Sequence, residues 1–222
     1  MAFDVHSIPL GPWQTNALIL QSTNHEVTVC DPGMDPAPLL RHLEEHALHV
    51  KQIILTHAHV DHIAGIDAVS GRFDDPPLLV HPEEEEWLNR PELNLSALSG
   101  FDVTTRPATG TIVDGQIIAV EAEEATVWHL PGHSPGSIGL DFKASPFVLQ
   151  RIGLKGVIAW MLVVPSGAGV QRRVVKAQAQ QPQHEFRPDE AKQQAEQQQQ
   201  QVGAKRSHSA WDQAARLSAE SA

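Results

Sequence analysis

The chain is poor in cysteine, in basic residues and in long apolar runs. Its one cysteine, Cys30, excludes an intrachain disulfide framework and fits a reducing compartment. The start, MAFDVHSIPLGPW, has neither a basic stretch nor a continuous apolar core, so no signal peptide is expected. The late apolar run GVIAWMLVVP falls far short of the roughly 20 residues that a membrane-spanning helix needs. Lysine and arginine number 16 against 27 acids, and the net charge of −11 argues against non-specific binding to nucleic acid or anionic membranes. These deficits leave a soluble cytoplasmic protein as the expectation. Its 222 residues, 41% of them hydrophobic, suffice for one substantial core.

The charge is unevenly spread. Residues 1–150 carry 21 acids against 6 Lys and Arg, whereas residues 151–222 carry 6 against 10. The second part also holds the stretch AKQQAEQQQQQVGAKRSHS. Charge sign, composition and complexity all change near Gln150. This divides the chain into a main domain over residues 1–149, an apolar segment of unassigned structure over 150–170, and a Gln-rich tail over 171–222. The tail is expected to be disordered or a solvated helix, since its apolar stripe of Ala191, Ala195 and Val202 is weak.

Within the main domain, FDVHSIPL and NALILQS read as strands split by Gly11-Pro12, and HEVTVCDPG as a third, stopped at Asp31-Pro32-Gly33. Leu39, Leu40, Leu43 and Leu48 recur at helical spacing, so a helix is expected from Asp35 to about Val50. KQIIL is a buried strand, HIAGIDAVSG a helix with Asp61 near its start, PPLLVH a strand, and PEEEEWLNR a helix opened by Pro82 and acids. TIVDGQIIAVEAEEATVWHL reads as strands joined by an Asp114-Gly115 turn, and GSIGLDF and PFVL extend that second sheet. The fold class is therefore mixed α/β, with helices packed outside sheets.

The chemistry concentrates in IILTHAHVDHIAGI. An H-x-H-x-D-H string arises by chance in only about one in several hundred chains of this composition, so coincidence is a poor account of it. His57 and His59 leave a strand two residues apart, so both imidazoles can reach one cation, to which Asp61 adds an oxygen ligand. His62 follows as the helix begins and turns away from that pair, a geometry that suits a second, adjacent metal. A third imidazole is available in WHLPGHSPGS, where His133 sits in a rigid Gly- and Pro-rich loop. His129, at the preceding strand end, reads as structural. Asp31, in VCDPG, is either a turn residue or a carboxylate that orients a ligand or its loop.

Taken in order, PLGPWQTNALIL, VCDPG, THAHVDH and HLPGHSPGS resemble the metallo-β-lactamase superfamily, and within it the glyoxalase II-like hydroxyacylglutathione hydrolases. The resemblance covers roughly residues 3–149. It implies an αββα sandwich with metals at one edge, His57, His59 and His133 binding the first ion and Asp61 and His62 the second. Zinc is the implied cofactor, with iron or manganese as alternatives. A small acyl or thioester compound is the implied substrate, attacked by metal-activated water with Asp61 as the catalytic carboxylate. No nucleic-acid or membrane partner is expected.

Beyond residue 149 the resemblance stops. The family pattern places a metal-bridging aspartate after the strand that follows the HSPGS loop, but this chain reads FVLQRIGLKG, with Arg151-Ile152-Gly153 and no acid. The family's last histidine ligand is not evident either. Asp141 comes too early, and His184, Asp189, His208 and Asp212 lack the required context. Three accounts of the tail are open: a divergent extension, a frameshifted end, or an unfamiliar source of ligands. Trp160-Met161 can only be encoded TGG-ATG, which contains the aspartate codon GAT in a shifted frame, so the frameshift is favoured. At most one fully occupied metal site and little or no hydrolase activity are thus expected of this chain. An iron oxidoreductase resembling persulfide dioxygenases and an inactive remnant are the rival readings.

Overall fold

The apolar runs become two six-stranded sheets in the computed structural model, which describes residues 4–22, 24–100, 102–142, 147–150, 160–166 and 169–175, the last three stretches as backbone. The first sheet sets β1 (Asp4–Leu10), β2 (Thr15–Gln21), β3 (Glu26–Cys30), β4 (His49–Ile54), β5 (Leu78–Val80) and β6 (Gly110–Thr111) side by side in that order. β1 to β3 pair antiparallel, and β3 to β6 pair parallel. The second sheet is antiparallel and runs from β7 (Ile117–Val120) through β8 (Glu123–His129), β9 (Ile138–Phe142), β10 (Phe147–Gln150) and β11 (Trp160–Ser166) to β12 (Gly169–Val175).

Parallel neighbours require crossovers, and these carry the helices. α1 (Ala37–Glu45) links β3 to β4, and α2 (Val60–Ile63) and α3 (Ile66–Arg72) link β4 to β5. A 3-10 helix, Pro82–Asn89, opens the link from β5 to β6. Because β3 and β4 are parallel neighbours, the loops after Cys30 and after Ile54 leave the same edge of the sheet.

Side chains alternate along β2. Ala17 and Ile19 face a core shared with Leu39 and Leu43 of α1, whereas Leu18 and Leu20 face a core shared with Val127 and Leu140 of the second sheet. The first sheet is buried on both faces, which is why NALIL reads as a continuous apolar run. Among the described residues, helices cover only the outer face of the first sheet.

Several elements differ from their sequence readings for local reasons. The first helix ends at Glu45, not near Val50. Ala47 takes a left-handed conformation (φ 49°), and Leu48 N donates to the Leu43 carbonyl at 2.9 Å, the closing bond of a helix-terminating motif. The HIAGIDAVSG helix is two short helices parted at Gly65, whose N–H donates to Pro32 O at 2.8 Å. The Asp114-Gly115 turn joins the two sheets to each other; the hairpin within the second sheet turns at Glu121 (φ 54°). The apolar segment after Gln150 contributes β11, and residues 176–222 lie outside the described residues.

Gly33 and Gly65 let two loops touch. A Cβ on Gly65 would stand 2.6 Å from the Gly33 carbonyl, and one on Gly33 would run into the Asp61 carbonyl. Gly33→Ala is therefore expected to destabilise the fold by about 1–3 kcal/mol through overpacking. A thermal midpoint equal to wild type would show that the VCDPG loop is not seated on the Asp61 turn.

Candidate metal centre

β4 delivers Thr56 and His57 to the sheet edge, where both are buried. Asp31, just past the end of β3, accepts from Thr56 N at 2.8 Å through Oδ1 and from Thr56 Oγ1 at 2.6 Å through Oδ2. The Thr56 hydroxyl therefore spends its proton on Asp31. Its oxygen lies 3.3 Å from His57 Nδ1, so toward that ring it can only accept. This fixes the proton on Nδ1 and leaves the Nε2 lone pair facing outward, the usual device for presenting an imidazole to a metal.

Three imidazoles meet at that point. His133 Nε2 lies 3.2 Å from His57 Nε2 and 3.0 Å from His59 Nδ1, and all three nitrogens fall within 4.8 Å of one another. The rings stand nearly edge-on to each other, with interplanar angles of 84°, 78° and 88°. Shared protons satisfy such a trio poorly, because two of the three nitrogens can share one proton and the third still faces them. A tetrahedral cation with metal–nitrogen bonds of about 2.0–2.1 Å sets its ligand nitrogens roughly 3.3 Å apart, close to the two distances made by His133 Nε2. The donor set fits a first-row divalent ion.

Asp61 and His62 sit beside this cluster without joining it. Asp61 Oδ2 accepts from the Thr15 hydroxyl at 2.7 Å and lies 3.3 Å from His62 Nε2. His62 Nδ1 lies 3.0 Å from Asp31 Oδ2, and its ring centroid is 4.0 Å from that of His57. Burial disfavours charge on His62, but the flanking carboxylates, Asp31 first and then Asp61, outweigh it and hold the pKa at about 9. His62 thus has a carboxylate oxygen within 3.0–3.3 Å of each ring nitrogen. Asp31 touches both the Thr56 turn and His62.

A second group, His81, Glu83 and His129, also brings three donors within 4.8 Å. Its lone pairs do not converge. The His81 and His129 rings stack at 4.0 Å and 16°, His81 Nδ1 accepts from Glu83 N at 3.3 Å, and His129 Nε2 donates to the Pro135 carbonyl at 2.6 Å. His129 braces the loop that carries His133. Asp141 lies within β9, opposite Thr126, and belongs to neither cluster. His184, Asp189, His208 and Asp212 lie outside the described residues.

With this geometry in place, the comparisons with known proteins are decisive for the family. The profile of the metallo-beta-lactamase superfamily matches residues 10–149. The chain belongs to that superfamily. It is 37% identical to the probable metallo-hydrolase YqgX of Bacillus subtilis, over 64% of this chain and 67% of the relative. It is 26% identical to the hydroxyacylglutathione hydrolase GloC of Haemophilus influenzae, over 61% of this chain and 65% of that protein. The match to a probable metallo-hydrolase of Streptococcus pyogenes, 34% identical, spans 55% of each chain. The chain thus spans between about half and two thirds of the length of these three relatives. Among solved structures it resembles BLEG-1 B3 metallo-beta-lactamase, with a TM-score of 0.63, 35% identity, and 69% and 78% of the two chains covered. TTHA1623 in a di-iron-bound form follows at 0.57 and 26%, with 69% and 75% covered.

Reasoning from sequence missed three contributors. Thr15 holds Asp61, the Trp87 ring lies 5.6 Å from that of His59, and Glu84 is fully buried. Thr15 stands in the quoted QTN motif but carries no chemical signature there. Glu84 is one acid in a run of four, although its place four residues before the buried Leu88 marks the inward face.

His57→Ala and His133→Ala are expected to abolish metal retention at this site, whereas His129→Ala largely spares it, because only the first two remove a converging nitrogen. Equilibrium dialysis checks this. Equal loss in all three variants would return His129 to the ligand set.

Proposed function

We propose that this chain is a zinc-dependent hydrolase of thioesters or related acyl bonds, with the ion held by His57, His59 and His133. The observation that carries the reading is the convergence of three imidazole nitrogens within 4.8 Å, with His133 Nε2 at 3.0 and 3.2 Å from the other two. His57, His59 and His133 would hold a cation there, which would supply Lewis acidity and a means of activating water near neutral pH. The chain's own groups do the rest. Asp61, its Oδ2 steadied by Thr15, orients the attacking water and takes up its proton. Asp31 and Thr56 keep His57 in the ligating tautomer. His133, exposed on its loop, supplies the third nitrogen. The thioester class rests on the hydroxyacylglutathione hydrolases among the relatives and on the matching motifs.

Asp61 and His62 are the groups that would hold a second ion. Two protein ligands are too few for tight retention, and Arg151-Ile152-Gly153 stands where the resemblance implies a bridging aspartate. One firmly held ion and slow turnover follow, with residues past Gln150 supplying neither carboxylate nor imidazole. A second reading, an iron oxidoreductase, is favoured by the di-iron form of TTHA1623, since three imidazoles accept iron as well as zinc. No helix among the described residues is long and apolar enough to cross a membrane. The single cysteine, free and buried, supports a cytoplasmic setting.

The test is hydrolysis of a hydroxyacyl-glutathione thioester by the full chain loaded with zinc, and separately with iron. Slow turnover that a chelator abolishes and zinc restores is expected. Asp61→Asn should lower kcat by about 10²–10⁴-fold, the usual worth of a general base. Activity with iron and oxygen alone would favour the oxidoreductase. A zinc-loaded chain without turnover would favour the inactive remnant.

A further inference from the structure

We propose that Glu84 is a positioning residue that locks the two histidine loops at the spacing one metal ion requires. This rests on the metal reading of His57, His59 and His133. The geometry is a bridge made by one carboxylate: Oε2 accepts from Ala58 N, and Oε1 accepts from Gly136 N at 2.7 Å. Ala58 lies between His57 and His59. Gly136 lies in the same Pro-Gly loop as His133. One rigid planar group thus sets the distance between the backbone that carries two of the imidazoles and the backbone that carries the third.

The bridge is built in from both sides. Glu84 is 0% exposed, so its side chain has no solvent to swing into. Gly136 makes room for it, since a Cβ there would stand 2.8 Å from Glu84 Cγ and 3.0 Å from Cδ. The segment that bears Glu84 also grips the next two residues of the histidine turn. The Trp87 ring lies against His59, and the Asn94 carbonyl accepts from Val60 N at 2.9 Å. Asn94 is itself buried and anchored, its Nδ2 donating to Trp87 O at 2.8 Å and Val103 O at 3.0 Å. Residues 58, 59 and 60 are therefore each held by one stretch, residues 84–94.

The chemistry calls for a carboxylate. An ionised carboxylate only accepts, and its two oxygens meet two N–H groups at once. Glutamine in the same place would turn its NH2 against one of them, leaving a buried donor facing a donor. The loss would fall on loop spacing, where a small displacement spoils coordination, more than on the sheets, whose cores do not include this side chain.

The experiment compares full-length wild type with Glu84→Gln, Gly136→Ala and, as a control on the exposed neighbour, Glu85→Gln. Zinc affinity is measured by competition with a chromophoric chelator, and the site's geometry by the visible absorption of the cobalt-substituted protein. Amide exchange at Ala58 and Gly136 is followed by NMR in the metal-free wild type and variants. Glu84→Gln and Gly136→Ala should each weaken zinc binding by about 10–100-fold, the usual effect of losing a partner behind the ligands, and alter the cobalt spectrum. Both amides should exchange slowly in wild type and faster in these variants, while Glu85→Gln matches wild type throughout. Fast exchange at either amide in wild type overturns the bridge even if a variant fails to fold. Equal zinc affinity in wild type and folded Glu84→Gln overturns the proposal and leaves the metal reading standing. A wild-type chain that binds no zinc overturns both.

Discussion

Two short hydrogen bonds from Thr56 to the carboxylate of Asp31 organise the functional edge of this fold. They tie the exit of β3 to the exit of its parallel neighbour β4, and they set the proton on His57. The same carboxylate lies at ion-pair distance from His62, so one side chain governs both the presentation of the first imidazole and the charge beside it. The remaining site residues are arranged around that fixed point: His59 two residues further on, Asp61 steadied from β2 by Thr15, and His133 brought in from the second sheet.

The scaffold divides its labour accordingly. The first sheet is buried on both faces and offers a rigid platform for His57, whereas His133 arrives on an exposed loop that needs separate bracing. That bracing comes from His129 on the Pro135 carbonyl and from Glu84 on the Gly136 amide. Polar groups buried at the sheet edge cost desolvation, and each is satisfied by a neighbour that also constrains a loop. In this way rigidity at the site follows from satisfying buried hydrogen bonds.

Much of this was legible in the residues. The H-x-H-x-D-H spacing at a strand exit, the Pro-Gly loop around His133 and the turn at Asp31 each carry a local signal, and the fold brings the three histidines together. What was not legible depends on contacts distant in sequence. The partnership of Thr15 with Asp61 joins the second strand to the second helix, and neither residue announces the other. Glu84 looks like a solvated charge because four consecutive acids hide which one faces inward. The early end of the first helix was misread because Leu48 continues the apolar spacing while a left-handed Ala47 ends the helical backbone. The segment after the compositional break at Gln150 offered no assignable element in the residues alone, and the structure places β11 and β12 there as a continuation of the second sheet.

The claim that three imidazoles hold one metal ion is tested most directly by X-ray absorption at the zinc edge, on the full chain loaded with one equivalent of zinc. The account predicts a first coordination sphere with three imidazole scatterers at about 2.0–2.1 Å, reduced to two in His133→Ala. Fewer than three imidazoles in the wild type, or a spectrum unchanged by His133→Ala, would contradict it.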